Sequence, residues 1–307
     1  MTSNISDGQT TAFKKTEKPR PHRRTMLAQK TVIAAVLIIY AILLMLPFMV
    51  VIVTSVTPYS ELTAQMTFVW WPENPTFSAY KRILTEDPMI YTQGMSSIAV
   101  GFINTLWSVL LPLVISLFLS GLSAYAYAKW DFKGKETIFM IQVATIMIPT
   151  ACFTVPSFIF FNALGWSNSF LPIVIPGCFG SATTILFLRG FMTGIPSDIV
   201  EAARIDGLNI FRIYINVILP LSVPALIAQF IFGFVGGYNN YAAPLLYLYG
   251  DNSKYTLMLA ITELKGFFPH NNDVCAATVI AIVPLLVLYA FCQKFFIKGI
   301  ALGGGKE

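Results

Sequence analysis

The sequence predicts an all-α protein, a polytopic membrane chain with six transmembrane helices, and three observations carry that prediction. Of its 307 residues 56% are hydrophobic and only 11% are charged, against roughly 25% charged in ordinary soluble domains. The charges leave five long stretches empty, 31–60, 88–128, 137–188, 213–250 and 274–293. A charge at the bilayer centre costs about 2.5–3.5 kcal/mol and about 20 apolar residues cross the hydrocarbon, so stretches of this kind read as spans. The third is too long for one helix, and Gly165-Trp166-Ser167-Asn168 divides it, which brings the count to six. Finally, segments assigned to the outer side hold only Lys81, Arg82, Lys254 and Lys265 of the 20 Lys and Arg residues. The positive-inside rule then puts both termini in the cytoplasm.

Residues 1–30 form a basic tail with Lys14, Lys15, Lys18, Arg20, Arg23, Arg24 and Lys30 against Asp7 and Glu17. It accounts for the whole net charge of +5, and beside a span it reads as a cytoplasmic retention signal and not as a nucleic-acid site. Polar and without apolar periodicity, it is expected to be disordered. The first span occupies 31–56, and its apolar core from Val32 to Val53 exceeds the 7–15 residues of a cleavable signal. An outer loop, 57–96, carries Trp70-Trp71-Pro72 and Pro75, aromatics suited to lying on the membrane surface. Five further spans make a core over 97–299, followed by a short cytoplasmic tail, 300–307. Within the fifth span Gly233 and Gly237 form a G-x-x-x-G that lets helices approach closely. Asn239 and Asn240 follow, and amides inside a span need partners, so they face the bundle or an aqueous path.

The cytoplasmic loop 195–214 is patterned as helix, turn, helix. Asp198 and Glu201 have capping-box spacing; Ile199, Ala202, Ala203 and Asp206 share a face; and Asp206-Gly207 is a stop, because Gly takes the left-handed conformation without a Cβ clash. Asn209 can cap the next helix, which Pro220 and Pro224 are expected to kink. Such a loop presents two alanines, side chains small enough for another protein to come close.

Several chemistries are excluded. Cys152, Cys178, Cys275 and Cys292 lie in apolar blocks without C-x-x-C spacing and read as packing residues. His22 and His270 make no cluster, so no metal site, cofactor or acid–base constellation is indicated. There is no Walker A motif, and Gly303-Gly304-Gly305-Lys306 lacks its spacing. Any ATP-derived energy must therefore come from a partner.

Glu201-Ala202-Ala203, Gly207 and a loosened Ile-x-Leu-Pro ending at Pro220 resemble the EAA loop of the membrane permease subunits of type I ABC importers. EAARIDG followed by Leu219–Leu226 is similar to the carbohydrate branch, typified by the smaller permease subunit of the maltose importer. The likeness extends over roughly 90–305 through Asn104-Thr105-Leu106, Ala124–Ala128 before Phe132–Lys135, Ile148-Pro149, the segment Tyr238–Pro244, and the Gly-rich end from Phe296. At 238–240 it departs from the pattern: Tyr238 stands for the usual Trp and Asn240 for the usual acid.

The resemblance implies a sugar or oligosaccharide permease in a prokaryotic inner membrane. Its partners would be a second, different permease subunit, two ATPase subunits and an extracytoplasmic solute-binding protein. Glu201, Ala202, Ala203, Asp206 and Gly207 would couple to the ATPase, and Asn104, Tyr238, Asn239, Asn240 and Tyr241 would line the solute pathway. Gly266, Phe267 and Phe268 would meet the binding protein. The alternatives are an importer for a polyamine or an anion, and a secondary transporter; the absence of charge inside the spans disfavours the last.

Overall fold

A computed structural model describes residues 23–64, 69–87, 89–90, 94–267 and 270–303, and every regular element among them is helical. The chain divides into two units, 1–49 and 50–307. The first holds the start of helix α1 (Arg23–Val56), whose apolar side chains such as Val32, Ile33, Leu37 and Ile38 stand exposed on all sides, as a helix immersed in lipid requires.

The second unit is built around one long helix. After α2 (Tyr59–Ala64) and α3 (Ser78–Thr85), helix α4 (Ser97–Lys129) starts at Ser96, whose side chain accepts the Ala99 N–H. Helices α5 (Lys135–Ala144), α6 (Thr154–Ala163), α7 (Leu171–Cys178), α8 (Ala182–Thr193), α9 (Ser197–Ile205) and α10 (Ile210–Ile213) follow, then α11 (Val223–Tyr238), α12 (Ala242–Tyr247), α13 (Leu257–Phe267) and α14 (Asn271–Gly303). Helices α7, α8, α11 and α13 all pack on α4. The G-x-x-x-G pair sets one of these contacts. A Cβ added at Gly233 would stand 2.4 Å from Leu113 Cδ1 and one at Gly237 2.7 Å from Val109 Cγ1, so two ridge residues of α4 occupy the notches that the glycines leave.

Four helical stretches are long and apolar enough to cross a membrane: Lys30–Val56, Ser97–Lys129, Leu171–Thr193 and Asn271–Gln293. Two more are broken, Lys135–Met147 with Thr150–Ala163 bent by 87°, and Ile210–Leu221 with Val223–Tyr238 bent by 78°. Counted as one span each, they complete the six. The first break falls at Ile148-Pro149; the second follows a π-helical turn at Tyr214–Ile218 and lies between Pro220 and Pro224. A milder interruption at Phe179–Ser181 is satisfied from α4, where Ser116 Oγ donates to Phe179 O (3.3 Å) and Ser120 Oγ accepts from Ser181 N (3.1 Å).

Three expectations change. The outer loop does not simply lie on a surface, because α3 sinks Ala79 and Ile83 into the core. Arg82 on α3 donates to Asp273 Oδ1 at 2.6 Å, and Asp273 is wholly buried at the start of α14. Asn272 beside it donates to Thr57 O at 3.1 Å, so the start of the loop and α3 are both tied to the last span. Cys152 is exposed on the short turn Thr150–Phe153 and is not a packing residue. Helix boundaries shift as well: α1 begins at Arg23, inside the tail expected to be disordered, and α14 continues to Gly303, past the expected boundary at 299; the basic tail up to residue 22 and residues 304–307 lie outside the described residues.

Candidate coupling helix and solute pathway

Helix α9 has two unlike faces. Val200 and Ala203 are buried in a cluster with Tyr125, Met192, Ile213 and Tyr214, while Glu201, Ala202, Arg204 and Ile205 face outward and Ile205 is 86% exposed. The two alanines are therefore divided between an anchoring face and a free one. Glu201 makes no ion pair or side-chain hydrogen bond among the described residues.

The helix does not start with a capping box. Pro196 occupies the N-cap with no side-chain hydrogen bond, and Ser197 is the first helical residue. This places Asp198 inside the first turn, two positions past the cap, where its charge still suits the positive end of the helix. At the other end Gly207 has φ +80°; Leu208 N donates to Ala203 O (3.1 Å) and Gly207 N to Arg204 O (3.0 Å), which closes the last turn in a Schellman motif. Asn209 Oδ1 then accepts the Arg212 N–H at 2.9 Å and starts α10. A short helix anchored by one face is thus held at a fixed angle by a glycine turn.

The five residues expected along a solute pathway fall into two groups. Asn104 donates to Ser253 O (2.9 Å) and Tyr255 O (3.0 Å), fastening the turn after α12 to α4. Tyr238 is 1% exposed and its hydroxyl donates to Ala281 O of α14 at 2.9 Å. Both side chains are engaged in holding the bundle together. Asn239 is exposed, with its amide donating to Val235 O at 2.9 Å. Asn240 accepts the Ala243 N–H (3.3 Å) and borders a cavity of about 210 Å³ between α4, α7 and α11. Tyr241 borders a more open recess of about 510 Å³ with Phe158, Leu245 and Tyr249.

Sequence reasoning missed the other polar residues of the Asn240 cavity. Ser108, Ser116 and Thr256 line the same cavity, and the Thr256 hydroxyl is buried without a hydrogen-bond partner among the described residues. The spacing of Ser108 and Ser116, eight residues apart on one helix, was the available signal. Of the residues expected to meet a binding protein, Gly266 is exposed near the end of α13 and Phe267 closes that helix, while Phe268 lies outside the described residues.

Residues 121–301, which contain α9, its glycine turn and the Asn240 segment, match the family described as the binding-protein-dependent transport system inner membrane component. The chain belongs to this family. It is 30% identical to the arabinooligosaccharides transport system permease protein AraQ of Halalkalibacterium halodurans, over 85% of this chain and 90% of that one. It is 29% identical to the polygalacturonan/rhamnogalacturonan transport system permease protein YtcP of Bacillus subtilis, over 85% and 92%. Its fold is that of a crystallised bacterial ABC transporter involved in the import of the acidic polysaccharide alginate, with a TM-score of 0.75 over 91% of this permease and all of that chain, at 23% identity. The permease is accordingly an inner-membrane component of an ABC transporter.

Proposed function

We propose that the permease forms one side of the path by which an oligosaccharide is imported, beside a second and different permease subunit. One of two ATPase subunits docks on the free face of α9, the other on the companion permease, and a solute-binding protein delivers the sugar to the opposite end of the bundle. The observation that carries the reading is the construction of α9, with Val200 and Ala203 sunk in the core while Ile205 stands free at its tip. Both termini lie on the ATPase side, following the distribution of Lys and Arg. The permease performs no chemistry itself.

Closure of the ATPases on ATP would draw the two coupling helices together and turn the sugar path outward, alternating access by rigid-body movement. Asn239, Asn240 and Tyr241 serve the path: amides for sugar hydroxyls, a ring for a sugar face. Support for sugars over ions comes from the placement of charge. The ion pairs Arg189–Glu136 and Arg82–Asp273 sit at span ends, and the Asn240 cavity is lined by apolar residues with three hydroxyls and an amide, without a charge.

Reconstitution tests this. Proteoliposomes holding the permease, its companion permease and both ATPases, supplied with binding protein, should import labelled arabino-oligosaccharides only with ATP inside. Import by the permease alone under an ion gradient would overturn the reading.

A further inference from the structure

Helix α9 is joined to the bundle by more than its buried face, and two consecutive residues of another span make the joint. Lys129 closes α4, and its ammonium donates to the backbone carbonyl of Ile195, the residue just before the Pro196 cap of α9. That carbonyl follows the end of α8, where backbone acceptors have no helical partner of their own. Trp130 comes next in an extended conformation, φ −115° and ψ 145°, so its ring leaves the end of α4 in a new direction. It meets the other end of α9: the guanidinium carbon of Arg204 stands 5.0 Å from the ring centroid. The indole N–H is buried with no acceptor among the described residues, so packing and the cation hold the ring.

The two contacts lie at opposite ends of α9, about 14 Å apart along its axis at the usual rise per residue. One attachment would leave the helix free to pivot, and two remove that freedom. A third tie steadies the approach. Arg189 on α8 pairs with Glu136 at 2.6 Å and covers the Phe139 ring at 3.8 Å, fixing the helix that leads into α9 against the helix that follows α4.

We propose that Lys129 and Trp130 are positioning residues that make α9 and α4 one rigid body, so that a push on the free face of α9 reaches the central span directly. Helix α4 carries Ser108 and Ser116 into the Asn240 cavity. The joint therefore places one unbroken helix between the coupling face and the candidate sugar path. The proposal rests on ATPase docking at α9 as set out above.

The test measures distance in the assembled transporter, with nitroxide labels on Asp198→Cys and Leu119→Cys in an otherwise Cys-free chain. One narrow distance, the same without nucleotide and with ATP–vanadate, is expected when the joint is intact. Lys129→Met with Trp130→Ala should keep ATPase co-purification yet broaden that distance in both states. Lys129→Arg with Trp130→Phe should restore it. A wild-type distance that shifts with nucleotide, or a Lys129→Met/Trp130→Ala distribution as narrow as wild type, overturns the joint.

Should that pair of changes prevent insertion, Arg204→Gln alters only an exposed side chain and must broaden the distance too; an unchanged distribution there overturns the joint equally. Ile205→Asp separates this question from the docking reading. Retained ATPase co-purification in that variant rejects docking at α9, whereas the nucleotide-free distances still decide whether α9 and α4 are rigidly joined.

Discussion

Gly207 gives the sharpest handle on the coupling loop, because conformation and space can be separated there. Its φ of +80° lies in the left-handed region, and a Cβ built on it would meet nothing within 4 Å. Any cost of substitution is therefore backbone strain and not collision. An ordinary L residue pays about 1–2 kcal/mol in this region, a shift of roughly 5- to 30-fold in the population holding the turn. Asn enters the region more readily, and β-branched Val least readily of all. The expected order of ATPase co-purification is therefore Gly207, then Gly207→Asn, then Gly207→Ala, with Gly207→Val last. The assay is tandem purification of tagged permease with limiting ATPase, normalised to permease in the membrane. Asn as damaging as Val would show that space and not φ governs the position, and a harmless Gly207→Val would refute the fixed angle of α9 altogether.

Three other outcomes are expected. Arg82→Ala leaves the buried Asp273 carboxylate without its cation; with Arg82 itself partly exposed, the loss should fall near or below the low end of about 3–5 kcal/mol and appear as a lower unfolding temperature in detergent. Gly237→Ala should destabilise by about 1–3 kcal/mol through contact with Val109, whereas Gly236→Ala, with nothing within 4 Å of its added Cβ, should be neutral or slightly stabilising; equal thermal stabilities of the two variants would contradict the notch packing. Thr256→Val removes a hydroxyl that has no partner among the described residues. Thermal stability should hold while the KM for sugar uptake rises up to about tenfold, the worth of one hydrogen bond at about 0.5–1.5 kcal/mol; an unchanged KM would remove Thr256 from the path.

What could be read from the sequence was local. Gly207 and Asn209 act through neighbours within a few residues, so composition alone marked the turn and the cap. The division at Gly165–Asn168 likewise appears as two positive φ angles, 73° at Gly165 and 51° at Asn168. The capping box failed for a local reason too: Pro196 has no N–H to satisfy and so sits at the N-cap, drawing the helix start back to Ser197. The remaining differences come from distance along the chain. Tyr238 is held by Ala281, Asn104 by Ser253 and Tyr255, and Arg82 by Asp273, and no pattern within a span announces partners so far apart in sequence. A resemblance could suggest that the Tyr238–Tyr241 segment mattered. Only the packed helices distinguish the residue that braces α14 from the one that opens on a cavity.

The measurement that bears most directly on the account is cross-linking from α9. Ile205→Cys and Ala202→Cys, each placed singly in a Cys-free chain, should join to the ATPase subunit through a short thiol reagent in native membranes. The yield should change when ATP is added. Lys133→Cys, in the exposed turn between α4 and α5, serves as the comparison. Cross-links from Ile205 and Ala202 that exceed those from Lys133 and respond to nucleotide are the predicted result; cross-links from Lys133 alone, with none from α9, would contradict the assignment of α9 as the coupling helix.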